Sequence, residues 1–216
     1  MARYGMIVDV NTCTGCMTCV LACKQENLTR PGVYWNEILQ FENESANTIT
    51  YVRNSCMQCD SAPCIDACKN NAITKREDGI VLIDQEKCKG DKNCINSCPY
   101  GAIFTNSGDT YFQEQQPFEK HPAGYRMQIP GKSSKCTLCA HRIDKGERPA
   151  CVDACPSEAL IFGDLDDPNS EISMKLKGSE ALLVNKGAKP KITFLVDRKM
   201  VQTIDQRILE DPHMLR

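Results

Sequence analysis

The stretch CTGCMTCVLACK, residues 13 to 24, sets cysteines at 13, 16, 19 and 23, with two, two and three residues between them. Three thiolates at two-residue gaps can wrap one iron–sulfur cube, because the intervening backbone turns around it and offers N–H groups to the sulfurs. The fourth thiol cannot easily reach the same cube, so a run of this spacing works in a pair with a second run. Lys24 stands where a proline trails the bacterial form of the motif.

Outward from this stretch the chain repeats itself. CVLACKQEN from 19, PCIDACKNNAI from 63, NCINSCPYGAI from 93 and ACVDACPSEAL from 150 share two cysteines about small or apolar residues, often followed by Ala-Ile or Ala-Leu. The second group is Cys56, Cys59, Cys64 and Cys68, with gaps of two, four and three. The third is Cys88, Asp91, Cys94 and Cys98 before Pro99, with Asp91 at the second ligand position. The fourth is Cys136, Cys139, Cys151 and Cys155 before Pro156, one gap being stretched to eleven. All fifteen cysteines are thereby used, and four groups in two pairs imply four clusters.

The rest of the composition agrees. Fifteen cysteines in 216 residues would suit disulfides in a short secreted scaffold or metal ligands in a larger chain, but the count is odd and MARYGMIVDV has no apolar signal core. With 6% aromatics and a mean hydropathy of −0.40, inorganic clusters are expected to replace part of an ordinary core. No apolar run approaches the ~20 residues that cross a bilayer. The net charge of −2, without long Lys/Arg runs, argues against nucleic acid. Zinc-ribbon halves could use Cys56/Cys59 and Cys136/Cys139, yet zinc has no need of the triple Cys13, Cys16, Cys19 followed by Cys23.

YGMIVDV at 4 to 10 reads as a strand, and AITKREDGIVLID at 72 to 84 as two strands about an Asp78-Gly79 turn. The segments GCMTCVLAC and KNCINSC read as small helices closing behind each cluster. Residues 105 to 135, with Pro117, Pro122 and Pro130 and Gly108, Gly124 and Gly131, read as an excursion loop. GDLDDPNSE at 163 to 171 reads as a turn and helix start capped by Asp166, Asn169 or Ser170. Trp35 and the methionines are expected between modules or against a partner. His121, His141 and His213 are each isolated and read as surface or hydrogen-bonding groups, His141 and Arg142 being the candidates for tuning a cluster.

The order of the four groups, together with CTLCAHRIDKGERPACVDACPSEALIFGDLDD at 136 to 167, resembles the electron-transfer subunit of molybdenum or tungsten bis-pterin oxidoreductases of the dimethyl sulfoxide reductase superfamily. The resemblance covers about residues 3 to 170, and within the superfamily it leans toward arsenate, tetrathionate, polysulfide or thiosulfate reductase small subunits. It implies an α+β fold of two interlocked bacterial-ferredoxin-like modules, with short strands and small helices around four clusters. Residues 1–50 plus 135–190 would form one module and 51–104 the other, with 105–134 as the excursion and 191–216 as a C-terminal extension for partner contact.

The resemblance also implies the ligand sets. Cys13, Cys16, Cys19 and Cys155 would hold the first cluster, and Cys136, Cys139, Cys151 and Cys23 the second. Cys56, Cys59, Cys64 and Cys98 would hold the third, and Cys88, Asp91, Cys94 and Cys68 the fourth. Three would be 4Fe-4S clusters. The fourth is either a 4Fe-4S cube with an Asp91 ligand, which is preferred, or a 3Fe-4S cluster, and it would lie far from the molybdenum site.

The function so implied is a relay of single electrons between a molybdenum- or tungsten-pterin catalytic subunit and a quinol-reactive membrane subunit or soluble carrier. The chain carries no GxGxxG, P-loop or Ser-His-Asp pattern, so no catalysis of its own is expected. The alternatives are a free-standing polyferredoxin and a catalytic iron left open at Asp91. The compartment stays open between the cytoplasm and export, folded, on a partner's signal.

Overall fold

The computed structural model describes residues 2–109, 111, 128–177, 181–182, 187–197 and 202–204. The strand expected at the N-terminus is β1 (Tyr4–Asp9), buried from Gly5 onward. It lies inside a four-stranded sheet with β8 (Leu160–Asp164), β9 (Ala181–Leu182) and β10 (Ile192–Leu195), in the order β8, β1, β10, β9. β1 runs parallel to β10, with Met6 opposite Ile192, and antiparallel to β8, with Met6 opposite Phe162. Strands covered on both faces read as continuous apolar runs, which is why MIV and ITFL show no alternation. One face, with Met6, Val8 and Phe194, joins the main core. The other, with Ile7, Ile161 and Leu195, is covered by Ile172 of α6 (Glu171–Lys177). Gly163 permits that approach, since a Cβ there would lie 3.0 Å from Ile172 Cγ2. Of the three candidate caps Ser170 serves, its Oγ accepting from Ser173 N at 3.2 Å.

Residues 192–195, the start of the stretch read as a C-terminal extension, are thus in the sheet and buried. An apolar run needs a covered face, and the open edge of β1 supplies one. Further along, Thr203 O accepts from Thr48 Oγ1 at 2.7 Å and Asn43 Nδ2 at 3.1 Å, and Ile204 is buried. Residues 198–201 and 205–216, His213 among them, lie outside the described residues.

Three hairpins carry the rest. β2 (Asn36–Asn43) and β3 (Thr48–Ser55) pair from Asn36 opposite Ser55 to Asn43 opposite Thr48, and β3 feeds directly into Cys56. β4 (Ile73–Lys75) and β5 (Val81–Ile83) pair about Asp78-Gly79 as expected, with Gly79 at φ +82°. β6 (Phe104–Thr105) and β7 (Ser133–Ser134) pair at the neck of the excursion. Within it, residues 110 and 112–127, including Pro117, His121, Pro122 and Gly124, lie outside the described residues.

The helices follow the cysteines: α1 (Thr18–Asn27), α2 (Pro63–Asp66), α3 (Asn93–Ser97), α4 (Ala140–Ile143) and α5 (Ala150–Asp153). All but α1 are the short helices expected. α1 is free to reach ten residues, since Lys24 stands where Pro99 and Pro156 follow α3 and α5, and a proline disfavours helix at and before itself. α2 stops without a proline. α1 packs on α5 and α2 on α3, which brings the first group to the fourth and the second to the third. Trp35 is buried and ties the loop after α1 to β7, its Nε1 donating to Ser134 Oγ at 3.0 Å.

Candidate metal centres

The four groups share a backbone device that the side chains alone do not display. The residue just before the second ligand position is left-handed in every group: Gly15, Gln58, Gly90 and Leu138, at φ +69°, +47°, +73° and +53°. Such a residue turns the following amide inward, and paired N–H groups of this kind form anion-binding concavities. Asp91 therefore occupies the backbone place held by Cys16, Cys59 and Cys139. A second left-handed residue follows three groups, at Asn71, Gly101 and Glu158. The next residue is the alanine of the Ala-Ile or Ala-Leu pair. Ala72 N and Ala102 N donate to the sulfurs of Cys68 and Cys98 at 3.3 and 3.5 Å, which gives that repeated alanine a reason: it must be small enough to bury its N–H against a sulfur.

Three cavities lie behind these turns. One is lined by Cys13, Cys16, Cys19 and Cys155 with Arg53. A second is lined by Cys23, Cys136, Cys139 and Cys151, again with Arg53. The third is lined by Cys56, Cys59, Cys64 and Cys98. Their atom-free space, counted out into the solvent at the mouth, is about 320, 280 and 340 Å³. Cys68, Cys88 and Asp91 lie close enough to Cys94 for their charges to raise its pKa, behind the larger effect of burial.

Neighbouring cysteine sets lie close enough to feel one another's charge. The charge of Cys151 reaches Cys19 from the second set to the first, that of Cys56 reaches Cys136 from the third to the second, and that of Cys94 reaches Cys64 from the fourth to the third. The second set is wholly buried, and the third is buried apart from a half-buried Cys98. Cys16 of the first set and Asp91 of the fourth are exposed, and Cys13, Cys155 and Cys68 beside them are half-buried.

Sequence comparison gives these sets a family. The family model described as 4Fe-4S dicluster domain matches residues 47–116 and 110–165, and that described as 4Fe-4S binding domain matches 11–32. The arsenate respiratory reductase iron-sulfur subunit of Shewanella sp. (strain ANA-3) is 36% identical, over 89% of this chain and 96% of its own. A polysulfide reductase polypeptide of Wolinella succinogenes is 36% identical over 91% and 95%, and a tetrathionate reductase subunit of Salmonella typhimurium 34% over 89% and 72%. The chain belongs to the iron–sulfur subunit family of these reductases. The 4Fe-4S family models between them cover all four of its cysteine runs.

For an iron–sulfur subunit the electrostatics are apt. Burial pushes the Cys19 thiol up to about 11 and those of Cys64 and Cys139 up to about 12. Thiols so held from ionising would be deprotonated by the metal that binds them. Cys16 differs: the hydroxyl of Thr18 and then its backbone N–H hold the exposed thiol below its ordinary value. Two cations are buried among the sets. Arg53 is 2% exposed, and Lys135, also 2% exposed, donates to the carbonyls of Val81 and Cys136. The charge of Lys135 acts downward on the thiols of Cys59, Cys64 and Cys98 of the third set.

Asn27, missed in the sequence, directs Nδ2 at Cys23 Sγ (3.6 Å) and Cys139 Sγ (3.9 Å). His141 is buried, with Nε2 2.5 Å from Glu26 Oε1, and Arg142 bridges Glu26 and Asp153 at 3.2 and 2.6 Å. Both candidates thus join α4 to α1, and Arg142 also reaches α5, around the second set. Among the described residues no three His, Cys, Asp or Glu side chains converge tightly enough for a single metal ion. A zinc tetrahedron, with Zn–S of about 2.3 Å, is therefore a poorer fit to these quartets than a polynuclear guest. Also among the described residues, no helix is long and apolar enough to cross a membrane.

Proposed function

We propose that this chain is the non-catalytic relay subunit of a molybdenum- or tungsten-pterin reductase complex, passing single electrons between the catalytic subunit and a quinol-reactive membrane subunit or soluble carrier. The observation that carries the reading is that three cavities are each walled by four cysteines drawn from two different sequence groups, one of them by buried cysteines throughout. The cavities support the ligand sets that the resemblance implied: Cys13, Cys16, Cys19 and Cys155; Cys23, Cys136, Cys139 and Cys151; Cys56, Cys59, Cys64 and Cys98. Cys68, Cys88, Asp91 and Cys94 form the fourth. Bound there, the clusters supply reversible one-electron oxidation and reduction.

The chain's own residues insulate and position. The buried second and third sets exclude water from the middle of the path, and the backbone N–H groups on Cys68 and Cys98 stabilise added negative charge. The packing of α1 on α5 and α2 on α3 supports two interlocked modules, 1–50 with 135–190 and 51–104. The names of the relatives, which are those of parts of reductases, favour a complex over a free polyferredoxin.

Asp91 is the fourth ligand of its cluster in this reading, and the cluster an intact cube. Its carboxylate accepts from Asn70 Nδ2 at 3.0 Å and Asn93 N at 3.3 Å, on the same left-handed turn that presents a cysteine elsewhere. Anaerobically purified chain should carry about 16 irons, against about 15 if that cluster has lost one. An oxidised-state EPR signal of a 3Fe cluster would decide against the cube. Purification from its native host should yield a pterin-containing subunit alongside, and repeated purification without one would sink the complex.

A further inference from the structure

Arg53 has no carboxylate partner among the described residues, although it is 2% exposed. It arises near the end of β3, three residues before Cys56, and its guanidinium reaches away from that group to line both the first and the second cavity. Nη1 donates to Ser55 Oγ at 2.7 Å and meets Met6 Sδ at 3.7 Å, while Nη2 lies 3.7 Å from Cys151 Sγ. Nε is buried and finds no acceptor. A fork of five donors, always charged, has here a single oxygen acceptor. The walls it lines carry Cys23, Cys136, Cys139 and Cys151 on one side and Cys13, Cys16, Cys19 and Cys155 on the other.

A buried charge persists only when something compensates it. Among the described residues that line its two cavities, the groups able to carry negative charge are the cysteines of the two sets.

We infer that Arg53 is a shared counter-charge for the first and second clusters, a positioning residue that sets their two reduction potentials together. The inference rests on the ligand sets proposed above. An electron placed on either cluster adds negative charge beside the same guanidinium, so the cation makes both easier to reduce. Two neighbours on the path are thereby kept in step, and an electron arriving at one is not stranded by a mismatch with the next. Arg53 does not line the third cavity, and there Lys135 acts on Cys59, Cys64 and Cys98, so the effect of Arg53 is expected to be largest at the first and second clusters.

The test is a potentiometric titration of the cluster-loaded complex, followed centre by centre by EPR, for the wild type, Arg53→Gln and Arg53→Lys. In Arg53→Gln two centres should move to more negative potential, each by at least a tenfold change in the ratio of oxidised to reduced cluster, about 59 mV for one electron. The other two should stay in place. Arg53→Lys, which keeps the charge, should restore most of the shift at both centres. Movement of one centre alone, of all four or of none overturns the inference. Should Arg53→Gln load only two clusters, Arg53→Lys decides: recovery of both supports the shared charge, and continued loss of both refutes it. Fewer than four centres in the wild type would instead sink the ligand sets, and the inference with them.

Discussion

Cys16 and Cys23 stand seven residues apart in one sequence motif, yet they line different cavities. Replacing each by alanine should therefore extinguish or convert different EPR centres. Cys16 is exposed, so water or an added thiol can take its place, and Cys16→Ala should cost about one iron of about 16 while leaving the fold intact. Cys23 is buried in a closed wall where no substitute ligand can enter, and Cys23→Ala should cost the second cluster, about four irons. That loss also removes one of the two anionic neighbours of Arg53. Taking the lower figure for a broken buried ion pair, about 3 kcal/mol, the apparent Tm of a chain this size should fall by about 6–12 °C. The assay is iron and protein content, low-temperature EPR and a thermal melt on anaerobic preparations. Loss of the same centre in both variants would mean that the thiolates are grouped as the sequence groups them, and the ligand sets would be wrong.

Asp91→Cys should fold normally and change the potential of one centre, read by the same EPR titration; a change at all four would break the pairing of the third group with Cys68. Gly15→Ala would set a methyl group 2.5 Å from Cδ1 of Tyr51, at a φ of +69° that already disfavours a side chain, so the first centre should be lost and the other three kept. Gly32→Ala, at φ +73° with nothing within 4 Å, is the control, and should cost only the about 1–2 kcal/mol of left-handed strain. Lys135→Met keeps the volume and removes the charge, so the third centre should move to more negative potential while the first stays; equal movement of both would show that the effect is not local.

The relay chemistry was legible in the cysteines because thiolates at two-residue gaps do one thing well, and the fourfold repeat made chance an unattractive explanation. The strand at 4 to 10 and the hairpin about Asp78-Gly79 were equally legible, from an apolar run and a turn dipeptide. The hairpin β2–β3 was not, since NEILQFENESANTITYVRNS offers mixed polarity and no tight-turn pair. The place of residues 192–195 could not be read either: ITFL is apolar enough to be buried anywhere, and only the vacant edge of β1 says where.

The sequence by itself determined the number of ligand groups, the odd residue at Asp91 and, through Pro99 and Pro156, where two of the helices must stop. Ligand spacing, helix stops and turn dipeptides act over a few residues, so they are written locally. The cavities that bring cysteines of different groups together, and the burial of each ligand position, came from the tertiary structure. So did Arg53, an arginine in an unremarked strand whose meaning depends on the two cavities its guanidinium reaches. Charge acts through space rather than along the chain, and a cation between two sites is invisible until the fold puts them side by side.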